Sequence, residues 1–154
     1  MASRTDQILQ AIESALIAIN GTGSYTNDLS GTDQVTFGRP RPECSRYPAA
    51  WINLARLQGG FGFALVDQKR TLVVEIEGRV QPSEQTPRSR CLAAIAMLND
   101  FSIALEASAV LQGLTWSMEG DGTWVDGDEV GLLNIGIAYM EVTFSWDQTR
   151  GAGI

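Results

Sequence analysis

The sequence predicts an α+β fold in which two helices pack on one face of a mixed, mostly antiparallel β-sheet. Two segments repeat apolar residues at the three- and four-residue spacing of a helix, and several others alternate apolar and polar residues as strands do. The helices are separated by runs of strands, which is typical of the α+β class. The predicted order is α-β-β-β-α-β-β, without an internal repeat or a linker, so residues 1–154 are expected to form a single domain.

The first element is a predicted helix over residues 5–20. Either Ser3 or Thr5 can cap its start by accepting free backbone N–H groups, and Asn20-Gly21 supplies a left-handed stop. Its apolar residues form one stripe: Ile8, Ile12, Ala15, Leu16 and Ile19.

Five segments have the composition or the alternation of strands, and the clearest is 70–81. There Leu72, Val74, Ile76 and Val80 point one way, while Val73, Glu75, Glu77 and Arg79 point the other. The stretch 58–69 joins two of the strands, and we interpret it as a glycine-rich arm that carries Phe61 and Phe63. The predicted strands are 34–37, 49–57, 70–81, 114–120 and 130–147.

The second helix is predicted over residues 87–110, with Thr86 as its cap and Pro87 as its first residue. Met97 and Phe101 widen an apolar surface that already extends nearly all round the helix. Such a helix must be covered on more than one side, and one sheet covers one side. Its main stripe is predicted to be Cys91, Ile95, Leu98, Leu105 and Ala109.

Charge and composition exclude several classes of function. A net charge of -7 argues against non-specific nucleic-acid binding, which needs a basic face. The chain has no histidine, so Ser-His-Asp and Cys-His catalysis and histidine-containing zinc sites are excluded. Cys44 and Cys91 form no CxxC motif, which favours a reduced intracellular setting and leaves one disulfide open. We therefore expect no enzyme and no cofactor.

The apolar segments predict a soluble protein without membrane contact. The first of them is amphipathic and contains Glu13, unlike the apolar core of a signal peptide. The longest apolar run, 91–98, is far shorter than the ~20 residues that span a bilayer.

The stretch "EGDGTWVDGDE", residues 119–129, concentrates acidic residues among glycines. Its spacing does not match a calcium-binding EF-hand loop, although calcium held by carboxylates and backbone carbonyls stays open. We interpret the stretch as the hairpin loop between two strands, with Asp126-Gly127 as the turn dipeptide and Trp124 as a contact for a partner. Glu75 and Glu77 share a strand face and are interpreted as solvated, with Arg79 as their counter-charge.

Surplus apolar surface predicts that the protein assembles with copies of itself or with other proteins. The residues that we predict at such an interface lie on loops, on the arm and on the second helix. They are Tyr25, Leu29, Phe61, Phe63, Met97, Phe101 and Trp124.

In pattern, most of the chain resembles the tail terminator (tail completion) proteins of long-tailed bacteriophages. The likeness begins in the amphipathic N-terminal helix and includes the second helix. It also rests on "YTNDL" (25–29), "YPAAWINL" (47–54), "LVVEIEGRV" (72–80), "LQGLTWSMEG" (111–120) and "IGIAYMEVTFSW" (135–146).

The resemblance implies an α/β fold with helices against a sheet, and a ring of six copies without catalytic residues. Such a ring caps the tail tube, stops its polymerisation and offers its other side to a head–tail connector protein, and genome DNA later passes through its lumen. The implied partners are therefore the protein itself, the tube protein, the connector and non-specifically passing DNA. The implied location is the neck of the virion, after assembly in the bacterial cytoplasm.

An acidic lumen would suit that role, because repulsion of phosphates keeps passing DNA from sticking. The hypothesis places five acids at the lumen or its rim: Glu75, Glu77, Asp121, Asp126 and Asp128.

Two alternatives remain open at this point. Another head–tail connector or a tail-tube subunit would share ring assembly and bind different neighbours. From a different class, an acidic calcium- or ligand-binding module would use the 119–129 loop.

Overall fold

The computed structural model describes residues 3–38, 46–58, 68–112 and 117–148. The α+β class and the predicted order of elements are both confirmed. The elements are α1 (Arg4–Ile17), β1 (Val35–Phe37), β2 (Ala49–Gln58), β3 (Gln68–Val80), α2 (Pro87–Ala107), β4 (Ser117–Asp126), a 3-10 helix (Gly127–Val130) and β5 (Gly136–Gln148).

The strands form one sheet in the order β1-β2-β3-β5-β4. The first pair, β1 and β2, is parallel, and the three pairs that follow are antiparallel. Both helices pack on the same face, because residues of α1, α2 and alternate strand positions share one core. Members of that core include Ile8, Ile12, Ile52, Val74, Ile76, Phe101 and Phe144.

Helix α1 buries the stripe that the sequence predicts and ends earlier than predicted. The Ser3 hydroxyl accepts the N–H of Asp6 at 3.1 Å, as one of the two predicted caps. The helix stops at Ile17, and the chain turns so that Ile19 is fully buried outside it. Gly21, with φ of +73°, lies in the turn that follows.

Helix α2 begins at the predicted cap, and its buried face shares only Leu105 with the predicted stripe. Thr86 caps it through the N–H of Ser89, and Pro87 is its first residue. The predicted stripe at Cys91, Ile95 and Leu98 is only partly buried. The buried face is Arg90, Ala94, Met97, Asp100, Phe101, Ala104 and Leu105.

The sequence predicts Met97 and Phe101 at an interface with a partner, and that prediction is wrong because both are fully buried in the core. They pack against Gly78 of β3, where an added Cβ would come within 2.7 Å of Met97 Cγ and of Phe101 Cζ. The missing side chain at Gly78 thus lets α2 approach the centre of the sheet. In the described part of the chain, neither helix has the length and apolar character that crossing a membrane requires.

The buried carboxylate of Asp100 fastens the 21–33 loop to α2. It accepts the backbone N–H groups of Thr26 and Asn27 at 2.9 and 2.8 Å, and the Asn27 side-chain amide at 2.7 Å. This anchoring places Leu29 fully inside the core and Tyr25 partly buried against it. Leu29 is therefore a core residue, and its predicted place at an exposed interface is wrong.

Candidate functional site: the open face of the sheet

The face of the sheet opposite the helices carries most of the exposed acidic side chains of the strands; we call it the open face. Strand alternation places these residues there, because the core-facing positions are taken by apolar partners of the helices. The centre of the open face is a depression of about 720 Å³. Its lining includes Trp51, Asn53, Glu75, Glu77, Arg79, Asp121, Thr123, Tyr139 and Glu141.

One row of the open face places three carboxylates side by side on adjacent strands. Glu75 of β3 pairs in register with Glu141 of β5, and Glu141 pairs with Asp121 of β4. All three side chains are exposed. Like charges directly opposite each other destabilise a sheet, so this acid row lowers the stability of the folded chain.

The neighbouring row holds a partly buried network around Glu77. Arg79 donates from Nε to Glu77 Oε2 at 2.8 Å, and its guanidinium lies 5.0 Å from the centre of the Trp51 ring. Burial raises the pKa of Glu77, while the nearby charge of Arg79 opposes that rise. Burial and the Glu77 charge together raise the pKa of Tyr139, which is hydrogen-bonded to Glu77. The Glu77 carboxylate is therefore held by Arg79 and Tyr139, unlike the exposed carboxylates of the acid row.

The five acids that the sequence predicts at a lumen or rim separate into two groups. Glu75, Glu77 and Asp121 share the open face. Asp126 does not, because its register partner Gly136 and its contact with Arg90 place it on the helix-covered side. Glu141 belongs to the acid row and was missed, although its position in the alternation of β5 already put it on the polar side.

Asp126 and Asp128 hold α2 to the sheet. Arg90, 5% exposed, donates to both oxygens of Asp126 at 2.6 and 3.2 Å, and its Nη2 lies 3.0 Å from Asp128 Oδ2. The hydrogen bond from Arg90 lowers the pKa of Asp126, although burial acts in the opposite direction. At 6% exposure Asp126 is a buried ion-pair partner, and its predicted place on a solvated rim is wrong.

The acidic stretch 119–129 is mostly strand, and its prediction as a hairpin loop is wrong. Residues 119–126 belong to β4, which pairs with β5 along its whole length. The connection comes later, through the 3-10 helix and Gly131 at φ of +80°. Asp126 does begin the turn, since its Oδ1 accepts the N–H of Asp128 at 3.1 Å.

The described residues do not include a group of side chains arranged to bind calcium. There, no three or more His, Cys, Asp or Glu side chains are grouped so as to hold a metal ion. Asp126 and Asp128 instead contact Arg90, and Asp128 Oδ1 also accepts the N–H of Asn134 at 2.9 Å.

Of the remaining residues predicted at an interface, Trp124 is accessible. Its side chain is 49% exposed on the edge strand β4, and its register partner Ala138 belongs to the core. Phe61 and Phe63 lie outside the described residues. Trp124 is therefore a predicted interface residue that the structure leaves available for contact, while Tyr25 stays partly accessible.

Comparison with known proteins finds neither a protein-family model that matches the chain nor a curated protein that is similar to it. Function is therefore inferred from the geometry of the open face and from the resemblance in sequence pattern.

The acid row leads to a stability prediction that is independent of any partner. Replacing Glu141, its central member, with glutamine should stabilise the monomer by about 0.5–1 kcal/mol at low salt, because two like-charge contacts are removed. The gain should shrink as salt screens the repulsion. Urea unfolding at low and high salt measures it, with the exposed loop variant Glu84→Gln as control. Equal effects of the two variants at low salt would show that the row carries no repulsion.

Proposed function

We propose that the protein is a ring-forming structural subunit of a bacteriophage tail. Its ring caps the tail tube, ends the polymerisation of the tube and joins the tail to the head connector. The observation that carries the proposal is the acid row of Glu75, Glu141 and Asp121, exposed on the sheet face opposite the helices.

An exposed row of like charges is understandable as the wall of a passage for DNA. If copies are arranged around an axis with the helices outward, the open faces surround the central opening. Carboxylates repel phosphates, so DNA moves through without binding to the wall. The net charge of -7 has the sign that this role requires. The carboxylates that repel one another in the single subunit would thus repel DNA phosphates in the assembled ring.

A structural role also fits the chemistry of the side chains. The chain has no histidine to act as a general base near neutral pH. Glu77, whose pKa is raised as that of a catalytic acid can be, is already held by Arg79 and Tyr139. It is therefore poorly placed to exchange a proton with a substrate.

A related tail-tube subunit or connector would share the ring and the acidic passage. A tube subunit differs in that it polymerises alone into long cylinders. A calcium-binding module, the alternative from another class, predicts thermal stabilisation by calcium that Asp128→Asn abolishes.

The test of the proposed role uses cognate tail-tube subunits that assemble in solution. Added protein should shorten the tubes in proportion to its amount and appear as a ring at one tube end in negative-stain images. An unrelated acidic protein of similar size serves as control. Tubes that grow to their usual length, or protein incorporated along the tube wall, would contradict a capping role.

A further inference from the structure

In the part of the chain that the structure describes, each edge of the sheet exposes backbone groups that no other strand pairs. Within the described chain, no strand pairs with the outer side of β4, which is ten residues long. At the other edge, β1 pairs with Ala50–Ile52, and among the described residues no strand pairs with the rest of β2 on that side. Exposed edges of this kind are ready templates for pairing with another chain.

On the helix-covered side, the two edges have complementary shapes. At the β4 edge, Gly120 and Gly122 leave a groove of about 370 Å³ beside α2, lined also by Leu98, Met118 and Met140. At the opposite edge, the side chains of Phe37 and Leu54 project, each 52% exposed. One edge thus lacks side chains where the other presents large apolar ones.

On the open face, the two edges carry opposite charges. Glu119 is exposed on β4, and Arg56 is exposed on β2. A register shift between Leu54 and Arg56 turns Arg56 to the open face, where it pairs with Val73. The charge difference favours contact between unlike edges over contact between two copies of the same edge.

The complementary residues of the two edges lie at the same level along the strand direction. Following the register across the strands, the row of Arg56 ends at Glu119, the row of Leu54 at Gly120 and the row of Phe37 at Gly122. A second copy placed beside the first at the same height therefore matches all three pairs at once.

We propose that the β4 edge of one copy pairs with the β1–β2 edge of a second copy, antiparallel and without an offset along the strands. Phe37 and Leu54 of one copy then fill the glycine groove of the next, and Arg56 meets Glu119. Such a head-to-tail contact can repeat around an axis, and it forms a ring where the rotation between copies closes. The inference rests on the ring assembly proposed above and specifies its interface.

Two variants that each block one edge test the pairing. Leu54→Lys blocks the β2 edge, and Gly120→Lys fills the groove, where an added Cβ meets nothing closer than Glu141 O at 3.9 Å. Each variant alone should be monomeric by mass photometry. An equimolar mixture should form a one-to-one dimer of about 33 kDa, twice the 16.7 kDa of the chain, because one good edge remains on each partner.

Charge reversal gives a second test of the same contact. Arg56→Glu and Glu119→Arg should each weaken assembly about tenfold, and the double variant should recover most of that loss. Leu92→Lys and Arg88→Glu, which change exposed residues of α2 that do not line the groove, should assemble normally. Thermal unfolding confirms that each variant is folded.

Three results would overturn the inference: an unmodified protein that stays monomeric both alone and with tube subunits, assembly that survives Leu54→Lys, or a mixture of edge-blocked variants that stays monomeric under conditions in which the unmodified protein assembles. Rings that persist in Leu54→Lys would place the interface elsewhere and leave the proposed ring subunit intact. Failure to cap tubes, by contrast, would count against the proposed function and leave the edge pairing intact.

Discussion

Replacing Gly136 with alanine should destabilise the protein by about 3 kcal/mol or more, an unusually large effect for one methyl group. Gly136 begins β5, where an added Cβ would collide with the carbonyl oxygen of Arg90 and lie 3.3 Å from Ala94 Cβ. The colliding atom belongs to the backbone of α2, so the strain cannot be relieved by a side-chain rotation. The helix must move away from the sheet, and the contacts of Met97 and Phe101 loosen with it.

Urea unfolding measures the effect, with Gly120→Ala as the matched control. Both substitutions add a methyl group to a glycine of a strand, and neither glycine has a positive φ. At Gly120 the nearest atom lies 3.9 Å away, so little change in the free energy of unfolding is expected. If the two variants had equal stability, the close approach of α2 to β5 would not be a feature of the folded protein.

Replacing Asp126 with asparagine should lower the thermal midpoint by roughly 5–10 °C near neutral pH. The substitution leaves the buried guanidinium of Arg90 without its bidentate carboxylate. The remaining contacts, Asp128 and a 3.4 Å hydrogen bond to Gln85, do not replace it. The more exposed Asp128 gives the matched control, and Asp128→Asn should cost clearly less.

The contribution of this ion pair should also depend on pH in a defined direction. The pKa of Asp126 in the folded protein is held below its ordinary value of 3.8, chiefly by the hydrogen bond from Arg90. A carboxyl group whose pKa is lowered in the folded protein contributes its full stabilisation at pH values above its ordinary pKa. It contributes progressively less as the pH falls through the lowered pKa. The difference in midpoint between Asp126→Asn and the unmodified protein should therefore narrow below pH 3.8. A difference that stays constant down to about pH 2 would contradict the assignment of the pair.

Local signals in the sequence predict helix starts well and helix faces less well. Thr86 and Pro87 fix the start of α2 through hydrogen bonding and backbone geometry within a few residues. The buried face of α2 depends instead on where the sheet allows close approach. A helix that is apolar nearly all round has no clear hydrophobic periodicity, so the sequence does not indicate which face is buried.

The error at residues 119–126 has a similar cause. Aspartate and glycine are poor strand formers, so their abundance favours a loop. Pairing of β4 with the long strand β5 overrides that preference, and every position from Ser117 to Asp126 finds a partner. The sequence therefore predicts that a hairpin exists, while the place of its turn depends on the sheet.

The candidate site was predictable only in part. Alternation in β3 places Glu75 and Glu77 on one face, as the structure confirms. The acid row needs the register between three strands, and the Arg90–Asp126 pair joins residues 36 positions apart. Such distant partners leave no mark on local periodicity.

Mass photometry of the purified protein, with negative-stain images of the same sample, tests the central claim that the chain forms a ring. The proposal predicts a species near 100 kDa, six copies of the 16.7 kDa chain, which appears as closed rings with a central opening. The sample should be measured alone and again with cognate tube subunits, because assembly on a template would give rings only in the second case. A monomer under both conditions, or long cylinders formed by the protein alone, would contradict the ring-capping account.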